Sequence, residues 1–268
     1  MISPGQISSV LALLTRAGNE IMKVYASDNF GIRFKEDESP VTKADYASDT
    51  IIKNGLSVIT PGIPVYSEET RDVPYSVRSE WKDLWILDPL DGTKEFIARS
   101  DEFCISLALI TEGRAVAGFI QAPVTGEIWF AQKDEGAWKV ANGNRVRLPL
   151  AKGEGPFSIN ISRTHHSKNE EEWIVRFMQD NEAVTHITGS AIKFSRIAEG
   201  SSDLYPKFSL IHEWDIAAGQ IIIEEAGGRI IEPATGKPPV FNKEDYHQPP
   251  FVAFGPRVKD WTRWAGKM

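Results

Sequence analysis

The sequence predicts a mixed α/β (α+β) sandwich made of two halves, residues 1–150 and residues 151–268. Apolar residues recur at helical spacing over the first 25 positions. Strand-like runs separated by glycine-containing turns fill residues 103–140, which is typical of an antiparallel meander. After residue 157 the patterns indicate a strand followed by helices. Together these three observations favour a sandwich of sheets and helices.

The first half begins with an amphipathic helix and reaches the meander through shorter elements. A polar loop or short hairpin follows the helix, and a second helix is predicted to begin near Thr42. Residues 63–67 and 84–87 are expected to be strands, and residues 93–99 a helix. The meander strands are expected at 103–110, 115–122, 127–132 and 137–140.

The second half is predicted to begin after a boundary at residues 149–156. A strand is expected at 157–162, followed by helices at 169–180, 191–198 and 215–226. The last helix is closed by Gly227 and Gly228, which suit a helix C-terminus because glycine adopts positive φ without strain.

Composition limits the partners of the protein. A formal net charge of -7 argues against a broad basic face for a nucleic-acid polymer, but it leaves room for a small phosphorylated ligand. Cys104 is the single cysteine, so an internal disulfide is excluded and a reducing cytoplasm fits. No stretch resembles a targeting segment or an integral membrane span, so we expect a soluble, cytoplasmic protein. The oligomeric state stays open.

The stretch WILDPLDGTKEF at residues 85–96 indicates a metal site. A buried strand delivers Asp88 and Asp91 side by side, although neighbouring buried carboxylates repel each other. Mg²⁺ prefers oxygen ligands and would neutralise the pair, and the Leu90 carbonyl would be a further ligand. Gly92 permits close approach of a phosphate to the backbone. The stretch therefore favours metal-assisted transfer of a phosphoryl group to water.

Structural interpretations of the same residues stay open at this point. Thr42 and Asp45 have the spacing of a capping box, so Asp45 either caps a helix or, linked to Thr93, orients the attacking water. Glu68 and Glu69, before a loop, fit a solvated acidic pair, and Asp215, at the start of a helix, fits an N-cap. The Asp-Pro-Leu-Asp-Gly segment also fits an ordinary β-turn.

Two motifs resemble signatures of the lithium-sensitive, Mg²⁺-dependent inositol monophosphatase superfamily. DPLDGT at residues 88–93 resembles the first signature, and WDIAAG at residues 214–219 resembles the second. Ser67-Glu68-Glu69 corresponds to the Gly/Ser-Glu-Glu motif of that family. The resemblance covers nearly the whole chain and implies a five-layer αβαβα sandwich with two to three Mg²⁺ ions between the halves.

The resemblance also implies a role for individual residues. The implied metal ligands are Glu68, Asp88, the Leu90 carbonyl, Asp91 and Asp215. Asp45 and Thr93 match the pair that activates the attacking water, and the amides of Gly92 and Thr93 match the phosphate-binding amides.

Within the superfamily, Lys94-Glu95-Phe96 resembles the 3′(2′),5′-bisphosphate nucleotidases of the bacterial CysQ type, whereas inositol monophosphatases usually have x-Asn-Phe there. Further matches lie at residues 161–165 and 189–193. The expected nucleotide-side residues are Ser162, Arg163, His165, Gly189, Ser190 and Lys193. A surface-loop histidine and a solvated helix lysine are the alternatives for His165 and Lys193.

The function implied by the resemblance is Mg²⁺-dependent removal of the 3′-phosphate of adenosine 3′,5′-bisphosphate. An inositol-phosphate or other sugar-phosphate phosphatase is the alternative enzyme, and a nucleotide-binding protein without turnover is the alternative of another class. Peripheral membrane attachment occurs within the CysQ group, but no segment here accounts for it.

Overall fold

The structure, a computed structural model, describes residues 1–35, 38–150, 155–163 and 167–266. In these residues the helices are α1 (Pro4–Tyr25), α2 (Lys43–Ile59), α3 (Tyr75–Arg78), α4 (Thr93–Ile97), α5 (Lys168–Asp180), α6 (Ile192–Glu199), α7 (Glu213–Glu225) and α8 (Trp261–Ala265), with a 3₁₀ turn at Glu68–Thr70. None of these helices is long and apolar enough to cross a membrane.

The strands form two main sheets and two short ribbons. Those of the first half are β1 (Arg33–Phe34), β2 (Pro40–Val41), β3 (Val65–Ser67), β4 (Asp83–Asp91), β5 (Cys104–Thr111), β6 (Arg114–Ala122), β7 (Glu127–Gln132), β8 (Gly136–Ala141) and β9 (Asn144–Arg147). Those of the second half are β10 (Phe157–Ile161), β11 (Ala183–Ile187), β12 (Leu204–Lys207), β13 (Ile211–His212), β14 (Arg229–Ile231), β15 (His247–Gln248) and β16 (Phe251–Phe254).

The first main sheet has the order β3-β4-β5-β6-β7-β8-β9. β3 runs parallel to β4, and every later neighbour pairs antiparallel with the strand before it. The predicted meander is therefore confirmed, and it extends by one strand, β9, which the sequence patterns did not reveal. All of this sheet lies before residue 150.

The second main sheet has the order β11-β10-β12-β16-β14 and lies entirely after residue 155. β10 pairs parallel with β11 and β12, whereas β16 is antiparallel to both of its neighbours. Residues 151–154, the centre of the expected boundary, lie outside the described residues. The division into two halves at that boundary stays a prediction.

Three buried clusters define five layers. One cluster packs α1 and α2 on one face of the first sheet, and another packs α6 and α7 between the two sheets. A third packs α5 and α8 on the far face of the second sheet. The order of layers is therefore αβαβα, and the expected fold class is confirmed.

Strand β4 shows how the sequence produces this layering. Leu84 and Ile86 pack into the cluster with α6 and α7, whereas Trp85 and Leu87 pack into the cluster with α1 and α2. Successive side chains of a strand point to opposite faces, so a strand covered by helices on both faces is apolar throughout. This accounts for the apolar run before Asp88.

Two predicted boundaries were wrong in a way that affects the site. β4 does not end at residue 87 but continues to Asp91, with a register shift against β5 between Asp88 and Asp91. The segment is thus an irregular strand end and not an ordinary β-turn. Helix α7 begins at Glu213, and His212 occupies its N-cap position, so the N-cap interpretation of Asp215 was wrong.

Candidate active site

A cluster of three carboxylates lies where the first sheet meets the central helix layer. One oxygen each from Asp88, Asp91 and Asp215 lies within 4.8 Å of the others. The two β4 residues come from the bulged strand end and Asp215 from the first turn of α7. Asp215, distant in sequence from the other two carboxylates, is brought to them because α7 packs directly on the sheet.

Burial makes this cluster electrostatically unfavourable without a cation. Burial, with the nearby charge of Asp215, raises the pKa of Asp91 to about 7, against the opposing effect of Lys193. Burial and the charges of Glu68, Asp91 and Asp215 raise the pKa of Asp88 well above its usual range. A divalent cation would remove both the repulsion and the desolvation penalty, so the donor set fits a hard, oxygen-preferring ion.

Local hydrogen bonds fix the orientation of each carboxylate. Asp88 Oδ1 accepts from the Leu90 amide at 3.0 Å, and Asp91 Oδ2 accepts from the Ala191 amide. Asp215 Oδ2 accepts from the His212 amide at 2.8 Å, which closes a capping box at the start of α7. Backbone amides therefore set the geometry of the cluster before any ligand binds.

Asp45 lies beside the cluster and contacts two partners. Its Oδ2 accepts from the Thr42 amide at 2.8 Å and from the Thr42 hydroxyl at 2.6 Å. Its Oδ1 lies 3.3 Å from Thr93 Oγ1, which also lies 3.2 Å from the Leu90 carbonyl oxygen. Burial raises the pKa of Asp45 to about 6, although the Thr42 hydrogen bonds oppose the shift.

Glu68 borders the same cavity as the three aspartates. Its Oε1 lies 2.7 Å from Lys35 Nζ, and that ammonium also contacts Glu69 Oε1 at 2.7 Å. The acidic pair is thus not simply solvated. Lys35 lies in a polar segment whose composition did not single it out, and it supplies positive charge next to the acidic cluster.

The cavity has a volume of about 270 Å³, and the cluster and two glycines, Gly92 and Gly189, are among the residues that line it. Gly92 has φ +90°, and a Cβ there would lie 3.0 Å from the Glu102 carbonyl oxygen and 3.2 Å from Ser190 Cβ. A side chain at this position would therefore be strained and crowded. Gly92, Thr93 and Ser190 line the cavity as expected.

The predicted nucleotide-side residues that the structure describes line the same cavity. Ser162, Arg163, Gly189 and Lys193 all line the cavity. Ser162 Oγ is 3.1 Å from Tyr205 Oη, and Arg163 forms an ion pair with Glu102 at 2.7 Å. His165 lies outside the described residues.

Lys193 is only 6% exposed, so its interpretation as a solvated helix lysine was wrong. Its Nζ donates to the Thr188 carbonyl oxygen at 3.2 Å and lies 5.1 Å from the centre of the Tyr205 ring. Burial lowers the pKa of Lys193, and Asp91 opposes that shift. A buried ammonium that lines the cavity suits an anionic group there.

Sequence reasoning missed a second buried lysine that lines the same cavity, Lys207. Its Nζ lies 3.8 Å from Glu170 Oε1 and 3.5 Å from Ser162 Oγ. Burial lowers the pKa of Lys207, and the charge of Glu170 opposes this. The available signal was a lysine inside the apolar run Leu-Tyr-Pro-Lys-Phe, where a solvated lysine would be out of place.

A five-layer αβαβα sandwich with a partly buried carboxylate cluster at the edge of a cavity is typical of metal-dependent phosphatases. The sequence profile of the inositol monophosphatase family matches residues 6–259. The chain therefore belongs to the inositol monophosphatase family, which confirms the resemblance seen in the two motifs.

Individual relatives agree with this assignment. The 3′(2′),5′-bisphosphate nucleotidase CysQ of Salmonella typhimurium is 40% identical over 226 residues, which cover 84% of this chain and 89% of the relative. The crystal structure of CysQ from Bacteroides thetaiotaomicron matches with a TM-score of 0.85 at 33% identity, covering 94% of this chain and 98% of that one. The inositol monophosphatase of Thermotoga maritima matches with a TM-score of 0.77 at 25% identity, covering 97% and 96%.

Proposed function

We propose that the protein is a Mg²⁺-dependent phosphatase that removes the 3′-phosphate of adenosine 3′,5′-bisphosphate and releases AMP and phosphate. The observation that carries the proposal is the convergence of Asp88, Asp91 and Asp215 within 4.8 Å at a cavity that two buried lysines, Lys193 and Lys207, also line. The substrate is inferred from relatives named 3′(2′),5′-bisphosphate nucleotidase.

The described residues provide a ligand set for Mg²⁺. Asp88, Asp91 and Asp215 would hold the ions, with Glu68 and the Leu90 carbonyl as further oxygen ligands. The raised pKa values of Asp88 and Asp91 and the close packing of the cluster support a site completed by positive charge. Two to three ions are proposed by analogy with the family. When bound, Mg²⁺ would polarise the phosphoryl group and lower the pKa of a water molecule.

Asp45 and Thr93 are proposed to handle the proton of the attacking water. The Thr93 hydroxyl has one proton and two acceptors, Asp45 Oδ1 and the Leu90 carbonyl oxygen. When the hydroxyl donates to Asp45, its oxygen lone pairs are available to accept from water. With a pKa of about 6, Asp45 is mostly ionised at pH 7 yet remains basic enough to receive a proton.

The remaining lining residues of the cavity are proposed to bind the nucleotide. The amides of Gly92 and Thr93 would receive the reacting phosphate, and Lys193 and Arg163 the second phosphate. Ser162, Gly189, Ser190 and His165 complete this proposed set, and Lys207 joins it because it lines the same cavity. Buried cations favour a doubly phosphorylated ligand over a neutral sugar ring.

Hydrolysis of an inositol phosphate is the alternative, because the fold is shared with the inositol monophosphatase of Thermotoga maritima. The carboxylate cluster would hold the metal ions for either reaction. Only the part of the cavity lined by lysine side chains therefore distinguishes the nucleotide from the inositol phosphate. The positive charge of these lysines favours the nucleotide, which carries two phosphates.

The test is phosphate release from adenosine 3′,5′-bisphosphate and from inositol 1-phosphate, with Mg²⁺ and then with EDTA. We expect fast, EDTA-sensitive release from the nucleotide. In parallel, Asp88→Asn should abolish this release while circular dichroism stays unchanged, because it removes one ligand charge from the cluster. Preference for inositol 1-phosphate would reject the substrate, and unaffected turnover in Asp88→Asn would reject the metal site.

A further inference from the structure

Glu102 connects the two halves of the protein behind the cavity wall. It lies between α4 and β5 in the first half, and its side chain reaches two groups of the second half. Oε2 accepts from Arg163 Nη2 at 2.7 Å and from the Gly189 amide at 2.9 Å. Arg163 and Gly189 line the cavity, and Glu102 lies behind them.

A second arginine reaches the same carboxylate. Arg196 Nη2 is 3.7 Å from Glu102 Oε1, and Arg196 Nη1 donates to Thr188 Oγ1 at 2.7 Å. Thr188 directly precedes Gly189, so the side chain of Arg196 also holds the chain next to that glycine. Glu102 thus joins three groups from separate segments: the end of β10, the turn before α6, and α6 itself.

The backbone around Glu102 is packed so closely against residue 189 that this residue has to be glycine. A Cβ on Gly189 would lie 2.8 Å from the Glu102 carbonyl oxygen and 2.9 Å from Glu102 Cβ. Such distances are shorter than van der Waals contact, and one of the two atoms belongs to the backbone. The approach of Gly189 to Glu102 is therefore a built feature of the site and not an incidental surface ion pair.

We propose that Glu102 is a positioning residue that holds the Arg163 guanidinium, and the Gly189 backbone beside it, in place for the second phosphate of the nucleotide, and so sets the preference for a bisphosphate over a monophosphate. The inference rests on the proposed function and extends it to a residue outside the cavity. An arginine side chain is flexible, and fixing it before binding reduces the entropy lost when the phosphate arrives. The carboxylate supplies that restraint.

The experiment compares adenosine 3′,5′-bisphosphate with 3′-AMP, which lacks the second phosphate, in Glu102→Gln. Gln keeps the shape and one acceptor oxygen but loses the charge that holds Arg163. We expect KM for the bisphosphate to rise about tenfold, which corresponds to about 1.4 kcal/mol. Its kcat, and both constants for 3′-AMP, should stay within about twofold, because the catalytic residues are untouched.

Arg163→Met should reproduce this pattern, and the double variant should be no worse than the poorer single variant, since both changes remove one interaction. Glu112→Gln is the matched control, because Glu112 is 72% exposed and pairs with Lys82 at a distant turn. It should leave every constant unchanged. Melting curves check that each variant is folded, and Arg163→Met alone tests the pair if Glu102→Gln does not fold.

Two kinds of outcome would overturn the inference and can be told apart. If the wild type prefers the bisphosphate and Glu102→Gln keeps that preference, the positioning role alone is rejected. An equal loss on both substrates also rejects the positioning role, because it indicates a general structural effect. A wild type that hydrolyses the two nucleotides equally well rejects the proposed substrate together with the inference.

Discussion

Asp45 uses its two carboxylate oxygens for two different purposes. Oδ2 completes the capping box of α2 with Thr42, and Oδ1 approaches the Thr93 hydroxyl. The sequence offered a structural and a catalytic interpretation as alternatives, and the geometry accommodates both. A carboxylate held rigidly by a helix N-terminus is well suited to present its second oxygen at a fixed position.

At this scale we predict that Asp45→Asn lowers kcat by roughly 10²–10⁴-fold, the usual loss when a general base is removed. Asn keeps an oxygen that can accept from the Thr42 amide, so the melting temperature should change little. The measurement is steady-state phosphate release alongside thermal unfolding.

Ser3→Ala is the control for a purely structural cap. Ser3 Oγ accepts from the Gln6 amide at 3.2 Å at the start of α1, far from the cavity. Loss of this hydrogen bond should destabilise the fold by about 1 kcal/mol without changing kcat. If Asp45→Asn behaved like this control, Asp45 would be a cap and nothing more.

Helix α7 is the element that assembles the site. It packs on β4, β5, β6, β7 and β8 of the first sheet and on β14 of the second, and it carries Asp215 in its first turn. Its approach to the first sheet depends on Gly118 of β6. A Cβ there would lie 2.7 Å from the Ala218 carbonyl oxygen and 2.5 Å from Ile221 Cγ2.

Gly118→Ala should therefore push α7 away from β6 and destabilise the protein by about 1–3 kcal/mol, the range for overpacked cores. Because Asp215 moves with α7, the Mg²⁺ concentration needed for half-maximal activity should also rise. Chemical denaturation and a Mg²⁺ titration measure the two effects.

The matched control is Gly5→Ala in the exposed first turn of α1, where the nearest atom to a new Cβ is 3.9 Å away. Alanine has the higher helix propensity, so stability should hold or rise slightly. Equal behaviour of the two variants would show that Gly118 does not control the packing of α7.

At the scale of the whole molecule, the acidic cluster couples folding to pH and to metal. The pKa of Asp91 is raised from 3.8 to about 7, so the folded, metal-free protein holds a proton that the unfolded chain releases. The corresponding stability is fully present below pH 3.8 and is lost as the pH rises through about 7. Mg²⁺ binds the ionised carboxylates and opposes this loss.

We predict that in EDTA the melting temperature falls by at least about 3 °C between pH 5 and pH 8, as expected from a destabilisation of about 1 kcal/mol or more. Millimolar Mg²⁺ should raise the melting temperature at pH 8 and reduce the slope. Asp91→Asn should also reduce the slope in EDTA without abolishing it, because burial raises the pKa values of Glu69 and Glu213 to about 7 as well. A melting temperature that is independent of both pH and Mg²⁺ would contradict a clustered site.

Much of the site could be predicted because its chemistry lies in short motifs. DPLDGT places Asp88, Asp91 and Gly92 next to each other in the chain, and WDIAAG contains Asp215, so the resemblance of both motifs to family signatures identified these residues. Lys207 and Glu102 lie in no comparable motif. Each acts through groups far away in sequence, and such partners are invisible until the chain is folded.

By itself, the sequence determined the longer helices, most strands of the first half, the apolar faces and the acidic residues, since these depend on local periodicity and residue type. It did not determine the strands β11, β12, β14 and β16 or the packing order of the two sheets, because strand pairing depends on distant partners. Only the tertiary structure decided that α7 lies between the sheets, bringing Asp215 to the end of β4. It also buried Lys193, because close packing and long-range charge, not local propensity, decide which polar groups are enclosed.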